Sequence, residues 1–144
     1  MYVLHKFVLI VLALIVAIST WLCGLKVGWQ FCGTLLSLVG ILFGFTITAS
    51  VAMKGSGFLS NQSKIVDKSV SGVYKTNAQR LCDYVEASCM SDILLMAVLI
   101  LYHFMPNNPL VTRVSSTIVL TLVAVVVALS FLMLKTVMHY LREE

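Results

Sequence analysis

Charge is what this sequence has least of. Six acidic and ten basic residues make up 11% of 144 positions, while 60% are hydrophobic and the mean hydropathy is +1.00. Soluble domains carry about a quarter charged residues, so the composition excludes an ordinary water-soluble domain. Proline occurs twice and turn clusters are few, which excludes a β-rich fold with its frequent tight turns. No Ser/His/Asp set, no paired carboxylates and no glycine-rich phosphate loop occur, so the sequence points away from an enzyme and from a cofactor. The four cysteines lack the spacing and histidine company of a zinc site, so no metal is expected.

What the chain does have is long apolar runs. Phe7 to Leu25, Phe31 to Met53 and Val114 to Leu134 contain no charge over 19, 23 and 21 residues. About 20 residues of helix, rising 1.5 Å each, cross the ~30 Å hydrocarbon layer. A helix also satisfies its own backbone groups in lipid. A fourth run, Ile93 to Met105, has only 13 residues and becomes a span only if its helix starts earlier. The first run also fits a signal peptide in outline, but Trp21 and Leu22 before Cys23 are too large for the small-residue cleavage pattern. The expected architecture is all-α: an integral membrane four-helix bundle forming one domain, with spans near 7–25, 31–53, 86–105 and 114–138.

Orientation follows from the basic residues. With four spans, Lys6, Lys54, Lys64, Lys68, Lys75, Arg80, Lys135 and Arg142 fall on one side, and only Lys26 and Arg113 on the other. The positive-inside rule then places both termini and the 54–85 link in the cytoplasm of a multi-pass protein in a bacterial inner membrane. Three spans would put the basic tail outside, so the charge distribution supports four. The net charge of +4 belongs to cations beside helix ends, where anionic headgroups lie, and direct nucleic-acid binding is not expected. Trp21 and Trp29 fit an aromatic belt at the outer surface.

Between spans 2 and 3, "KGSGFLSNQS" reads as a flexible exit. From Lys64, apolar residues Val66, Val70, Val73, Tyr74, Leu81, Tyr84 and Val85 recur at three- and four-residue spacing opposite Lys68, Lys75, Gln79, Asp83 and Glu86. This predicts a cytoplasmic amphipathic helix over 64–90 that runs into span 3. Lys68, Lys75 and Arg80 on it are candidates for contact with a soluble partner. "HFMPNNPLVTR" ends span 3, because Pro106 and Pro109 block helix continuation.

Helix 2 carries Gly33, Ser37, Gly40, Gly44 and Thr48 on one face. A glycine inside a helix costs about 1 kcal/mol against alanine. In lipid, however, helices attract through close backbone approach, which small residues permit. Thr117, Thr121, Ala124 and Ala128 form a similar stripe on the last helix, which makes these two helices expected partners. The same faces also suit a homo-oligomer seam, and the two uses are not exclusive.

Asp92 is the most informative residue. If span 3 ends near Met105, Asp92 lies ~20 Å inward from that end, where an ionisable group is costly and faces protein or water. Ser88 and Ser91 give it polar company and join it as pore-lining candidates. A tilt that brings Asp92 to the headgroups is the alternative. Cys23 and Cys32, near the outer ends of helices 1 and 2, suit either a disulfide or small apolar filling. Cys82 and Cys89 read as packing residues. His5 and His139 fall at the cytoplasmic interface and His103 near the outer one, where pH sensing is one reading and snorkelling to the headgroups the expected role.

The length, the four spans, "GTLL" opening helix 2, its Phe45-Thr46-Ile47 segment, the basic link and the "LREE" tail together resemble the RexB-like membrane proteins of phage superinfection exclusion. That resemblance implies a small ion channel of antiviral defence (abortive infection), opened by a soluble cytoplasmic partner that detects infection. The residues themselves leave two readings open. One is a channel-forming or membrane-disrupting effector. The other is a non-catalytic anchor that tethers a soluble complex through the basic link.

Overall fold

A computed structural model of the chain describes residues 3–55, 57, 60–61, 66–67, 75–104 and 108–142. Four long helices dominate: α1 Val3–Cys23, α2 Trp29–Gly55, α3 Asn77–His103 and α4 Pro109–Arg142. Each is long and apolar enough to cross a membrane. The all-helical, four-span expectation therefore holds at the level of helix number, length and composition.

Local chemistry fixes where the helices stop and start. α1 closes on Gly24, whose φ of 61° is the left-handed conformation that glycine adopts without penalty. Gly24 N–H reaches the Trp21 carbonyl at 3.4 Å and Leu25 N–H the Thr20 carbonyl at 3.3 Å, the paired bonds of a Schellman cap. α4 begins on Asn108, whose side-chain oxygen accepts from Leu110 N–H at 3.1 Å. Pro109 follows at the first helical position, where its missing N–H costs nothing.

The expected 64–90 helix is corrected by the start of α3. Thr76 and Gln79 form a capping box: the threonine hydroxyl accepts from Gln79 N–H at 3.3 Å, and the glutamine oxygen accepts from Thr76 N–H at 3.1 Å. This reciprocal pair starts a helix at Asn77. Upstream, Val66–Asp67 (β1) and Lys75–Thr76 (β2) pair as a short antiparallel ribbon. Lys68, Ser71 and the rest of the proposed helix between 68 and 74 lie outside the described residues.

α4 packs along both α1 and α3, and α3 also packs along α2. The principal neighbour order is thus α1–α4–α3–α2. The expected partnership of α2 with α4 through small residues is not among these principal contacts. Gly33, Ser37, Gly40, Gly44 and Thr48 are all exposed, and a Cβ added at any of the three glycines would meet nothing within 4 Å. α2 instead buries Cys32, Leu35, Val39 and Thr46, which lie on roughly the opposite side at 3.6 residues per turn. On α4, Thr117, Thr121, Ala124 and Ala128 are half-buried. The two threonine hydroxyls donate to their own helix, to the carbonyls of Arg113 at 3.0 Å and Thr117 at 2.7 Å.

Two ends of the bundle can be distinguished. The start of α1, the end of α2, the start of α3 and the end of α4 lie at one, the terminal end, and the opposite ends of the four helices at the other, the turn end. At the turn end a short knot ties three elements. Tyr102 of α3 donates its hydroxyl proton to the Val27 carbonyl at 2.9 Å. Val27 N–H donates to the Ser116 hydroxyl of α4 at 3.0 Å. Arg113 donates to the Trp21 carbonyl and stacks its guanidinium 4.7 Å from the Trp21 ring. Val27 then heads an apolar cluster with Cys32, Leu35, Val39, Leu95, Leu99, Val119 and Val126.

Ser116→Ala removes the hydroxyl that accepts from the buried Val27 amide, leaving that N–H without this partner. The protein in detergent should lose about 1 kcal/mol of stability, read as a lower midpoint of thermal unfolding. An unchanged midpoint would mean that the α1–α2 turn is held without this bond.

Candidate functional site

The inward face of α3 changes character along its length. Counted from the terminal end it buries Asn77, Arg80, Leu81, Tyr84, Ser88, Asp92, Leu95 and Leu99. The first half of that face is mostly polar and the second half apolar. Tyr84, Ser88 and Asp92 succeed one another at four-residue steps, one helical turn each. Asp92 is 0% exposed and Ser88 1% exposed. Asp92 stands about 16 Å from the His103 end of α3 and about 22 Å from the Asn77 end, close to the middle of the helix.

Among the described residues neither carboxylate oxygen of Asp92 has a hydrogen-bond partner, and neither does the Ser88 hydroxyl. Leaving a buried carboxylate without compensation is among the costliest arrangements a protein can hold. A group retained in that state in the middle of a packed helix is a candidate for function. The burial places Asp92 inside the helix bundle rather than on its outer face. Of the other two pore-lining candidates, Ser88 shares the buried face. Ser91 is half-buried and donates its hydroxyl to the Ser88 carbonyl at 2.8 Å, so it is satisfied by its own helix.

At the terminal end the polar face meets α1. His5 Nδ1 and the Tyr84 hydroxyl share a hydrogen bond, with the rings tilted and their centroids 5.8 Å apart. Tyr84 is 0% exposed whereas His5 is half-buried, so the pair joins the interior to the surface. His103 lies edge-on to Phe104 at 5.5 Å, and His139 is exposed.

Arg80 also departs from expectation. A candidate for partner contact beside Lys68 and Lys75, it is 2% exposed. Being one turn before Tyr84, it points with the inward face. Lys68 lies outside the described residues, and of Lys75 only the backbone pairing in β2 is described. All four cysteines are free; Cys32 packs in the apolar cluster while Cys23 is exposed. The filler reading holds for Cys32, and the two are not joined. Among the described residues no group of three or more His, Cys, Asp or Glu is placed to hold a metal.

Sequence reading found Asp92 and Ser88 but not the extension of that line through Tyr84 to His5. The signal lies in the four-residue steps 80, 84, 88 and 92, and is hidden because Tyr84 fits the apolar spacing of the link equally well. The turn-end knot left no comparable signal, because its members are scattered over 95 positions. Compared with protein-family models, curated proteins and solved structures, the chain matches none.

Asp92→Leu replaces an uncompensated buried acid with an apolar side chain of similar length. The purified protein should gain about 1–3 kcal/mol, seen as a higher unfolding midpoint in detergent. A loss of stability would show that the carboxylate has a partner that holds the bundle together.

Proposed function

We propose that the chain is a small channel-forming or membrane-disrupting effector in the membrane, in which Asp92 lies on the ion path. The observation that carries this reading is the fully buried, unpartnered carboxylate near the middle of α3. A passive anchor gains nothing from such a group, whereas ion pathways through membranes are marked by interior ionisable residues. The resemblance to RexB-like proteins supplies the biological setting: bacterial antiviral defence by abortive infection, in the inner membrane, with both termini and the link in the cytoplasm. A soluble cytoplasmic sensor would act at the terminal end. Lys68 and Lys75 remain candidates for its contact, and buried Arg80 is withdrawn. The reading is non-catalytic and needs no cofactor.

A homo-oligomer belongs to the same proposal. The glycine face of α2 is left uncovered by its own chain, and Ser37 and Thr48 satisfy their hydroxyls on the Gly33 and Gly44 carbonyls at 3.2 and 2.8 Å. A smooth face without unsatisfied donors suits backbone-close packing of one copy on another. Gly44→Leu should then shift the detergent-solubilised protein towards monomer in size-exclusion light scattering while leaving its unfolding midpoint within error. Unaltered assembly would assign that face to lipid.

The channel reading is tested in cells. At rising expression the wild-type chain should collapse the membrane potential reported by a voltage-sensitive dye. Asp92→Asn, at equal membrane content, should depolarise at least tenfold less. Absence of depolarisation by the wild type, or equal depolarisation by the Asn variant, would favour the alternative of a non-catalytic membrane anchor or assembly subunit.

A further inference from the structure

We propose that Asp92 is a proton-binding site that exchanges with the terminal end of the bundle through Ser88, Tyr84 and His5, and is closed from the turn end. The inference deepens the channel reading by naming the ion, and rests on that reading only for the claim that transport follows.

The choice of a proton over a metal cation comes from ligand number. Ca²⁺ takes about 6–8 oxygen ligands and Mg²⁺ about six. The unsatisfied oxygens here are those of one carboxylate and one hydroxyl, and the described residues hold no metal-ligating cluster. One carboxylate is enough for a proton, and hydroxyl and imidazole groups pass protons on. His5 and Tyr84 are already hydrogen-bonded. From Tyr84 to Ser88 and from Ser88 to Asp92 the rise is about 6 Å each. That is the axial rise of the backbone; among the described residues neither the Ser88 hydroxyl nor the Asp92 carboxylate has a direct partner, so the route runs through a water held between each pair of polar groups.

In each transfer one proton moves and no electron does. His5 accepts a proton on one ring nitrogen and releases one from the other. Tyr84 and Ser88 each take up one proton on oxygen and give up their own. The carboxylate becomes a carboxylic acid, and the reverse sequence empties it.

The route has one open side. His5 is half-buried and reaches the surface. Next to Asp92 on that side the interior is lined by Leu95 and Leu99 of α3, Val119 of α4 and Val39 and Leu35 of α2, none of which can carry a proton; buried Cys32, Ser115 and Ser116 come only near the turn end. The knot of Tyr102, Val27 and Ser116 lies past them. Few titratable groups compete along the way. The buried residues of α4 towards the terminal end are Leu129, Met133 and Thr136, and α2 buries Thr46 there. Besides Tyr84 and Arg80, α3 has half-buried Cys89 and Asp83, and Lys135 of α4 is exposed.

The test is infrared spectroscopy of the full chain in phosphatidylethanolamine–phosphatidylglycerol vesicles. After a jump in pH, the protonated-carboxyl stretch should respond, and that response should vanish in Asp92→Asn. Tyr84→Phe should slow it at least tenfold, whereas Tyr102→Phe, at the turn end, should leave its rate unchanged. Circular dichroism and unfolding midpoints verify that each variant is folded. A response that is absent in the wild type, or as fast in Tyr84→Phe as in the wild type, overturns the proposal, and so does one slowed by Tyr102→Phe instead. Depolarisation through Asp92 without a Tyr84-dependent response would leave the channel standing and remove the proton route. A Tyr84-dependent response in a protein that never depolarises cells would keep the site and remove the channel.

Discussion

Hydrophobicity cannot decide which faces of these helices meet. Lipid tails are as apolar as the leucines and valines that cover the chain, so burying one more of them between helices yields little. Selection among helix pairings then falls to close packing and to the few polar groups that find partners across helices. The turn-end knot is where this is clearest. Val27 is held by α3 through Tyr102 and by α4 through Ser116, and Arg113 ties α4 to the last turn of α1. Those bonds set the depth of three helices relative to one another, and the apolar cluster below them fills in accordingly.

The same constraint makes the interior acid expensive, and its placement informative. A bundle free to choose would turn Asp92 towards its own exposed side and let the chain bend it to the headgroups. Instead α3 presents it inward, in line with Ser88 and Tyr84, where the face passes from polar to apolar. The polar half opens at His5 and the apolar half ends under the knot. A one-sided interior of this kind is what a gated path requires: access from one end and a removable seal at the other.

Much of the architecture was legible in the sequence. Helix number, the proline-bounded turn before α4 and the inward acid all follow from run length, turn residues and the cost of a charge in lipid. The start of α3 also has a local signature, the Thr76–Gln79 capping box, which the apolar spacing upstream hides. Partner choice was not legible. Gly33, Gly40 and Gly44 do permit close approach, yet permission does not specify a neighbour, and the fold spends the other side of α2 on α3. Arg80 was misread for a related reason: at the end of a helix, a basic residue fits an exposed face and a buried polar face equally well. Hydrogen bonds between residues 79 or 89 positions apart, such as His5 with Tyr84 and Val27 with Ser116, depend on the assembled fold and carry no local signature.

The central claim is that Asp92 faces the interior of its own bundle. A lipid-soluble carbodiimide tests it most directly, since the reagent reaches carboxyl groups that face the hydrocarbon. In native vesicles Asp92 should stay unmodified in peptide mass analysis and should react once the protein is unfolded in dodecyl sulfate. Rapid modification of Asp92 in the native protein would place the acid against lipid and contradict the account.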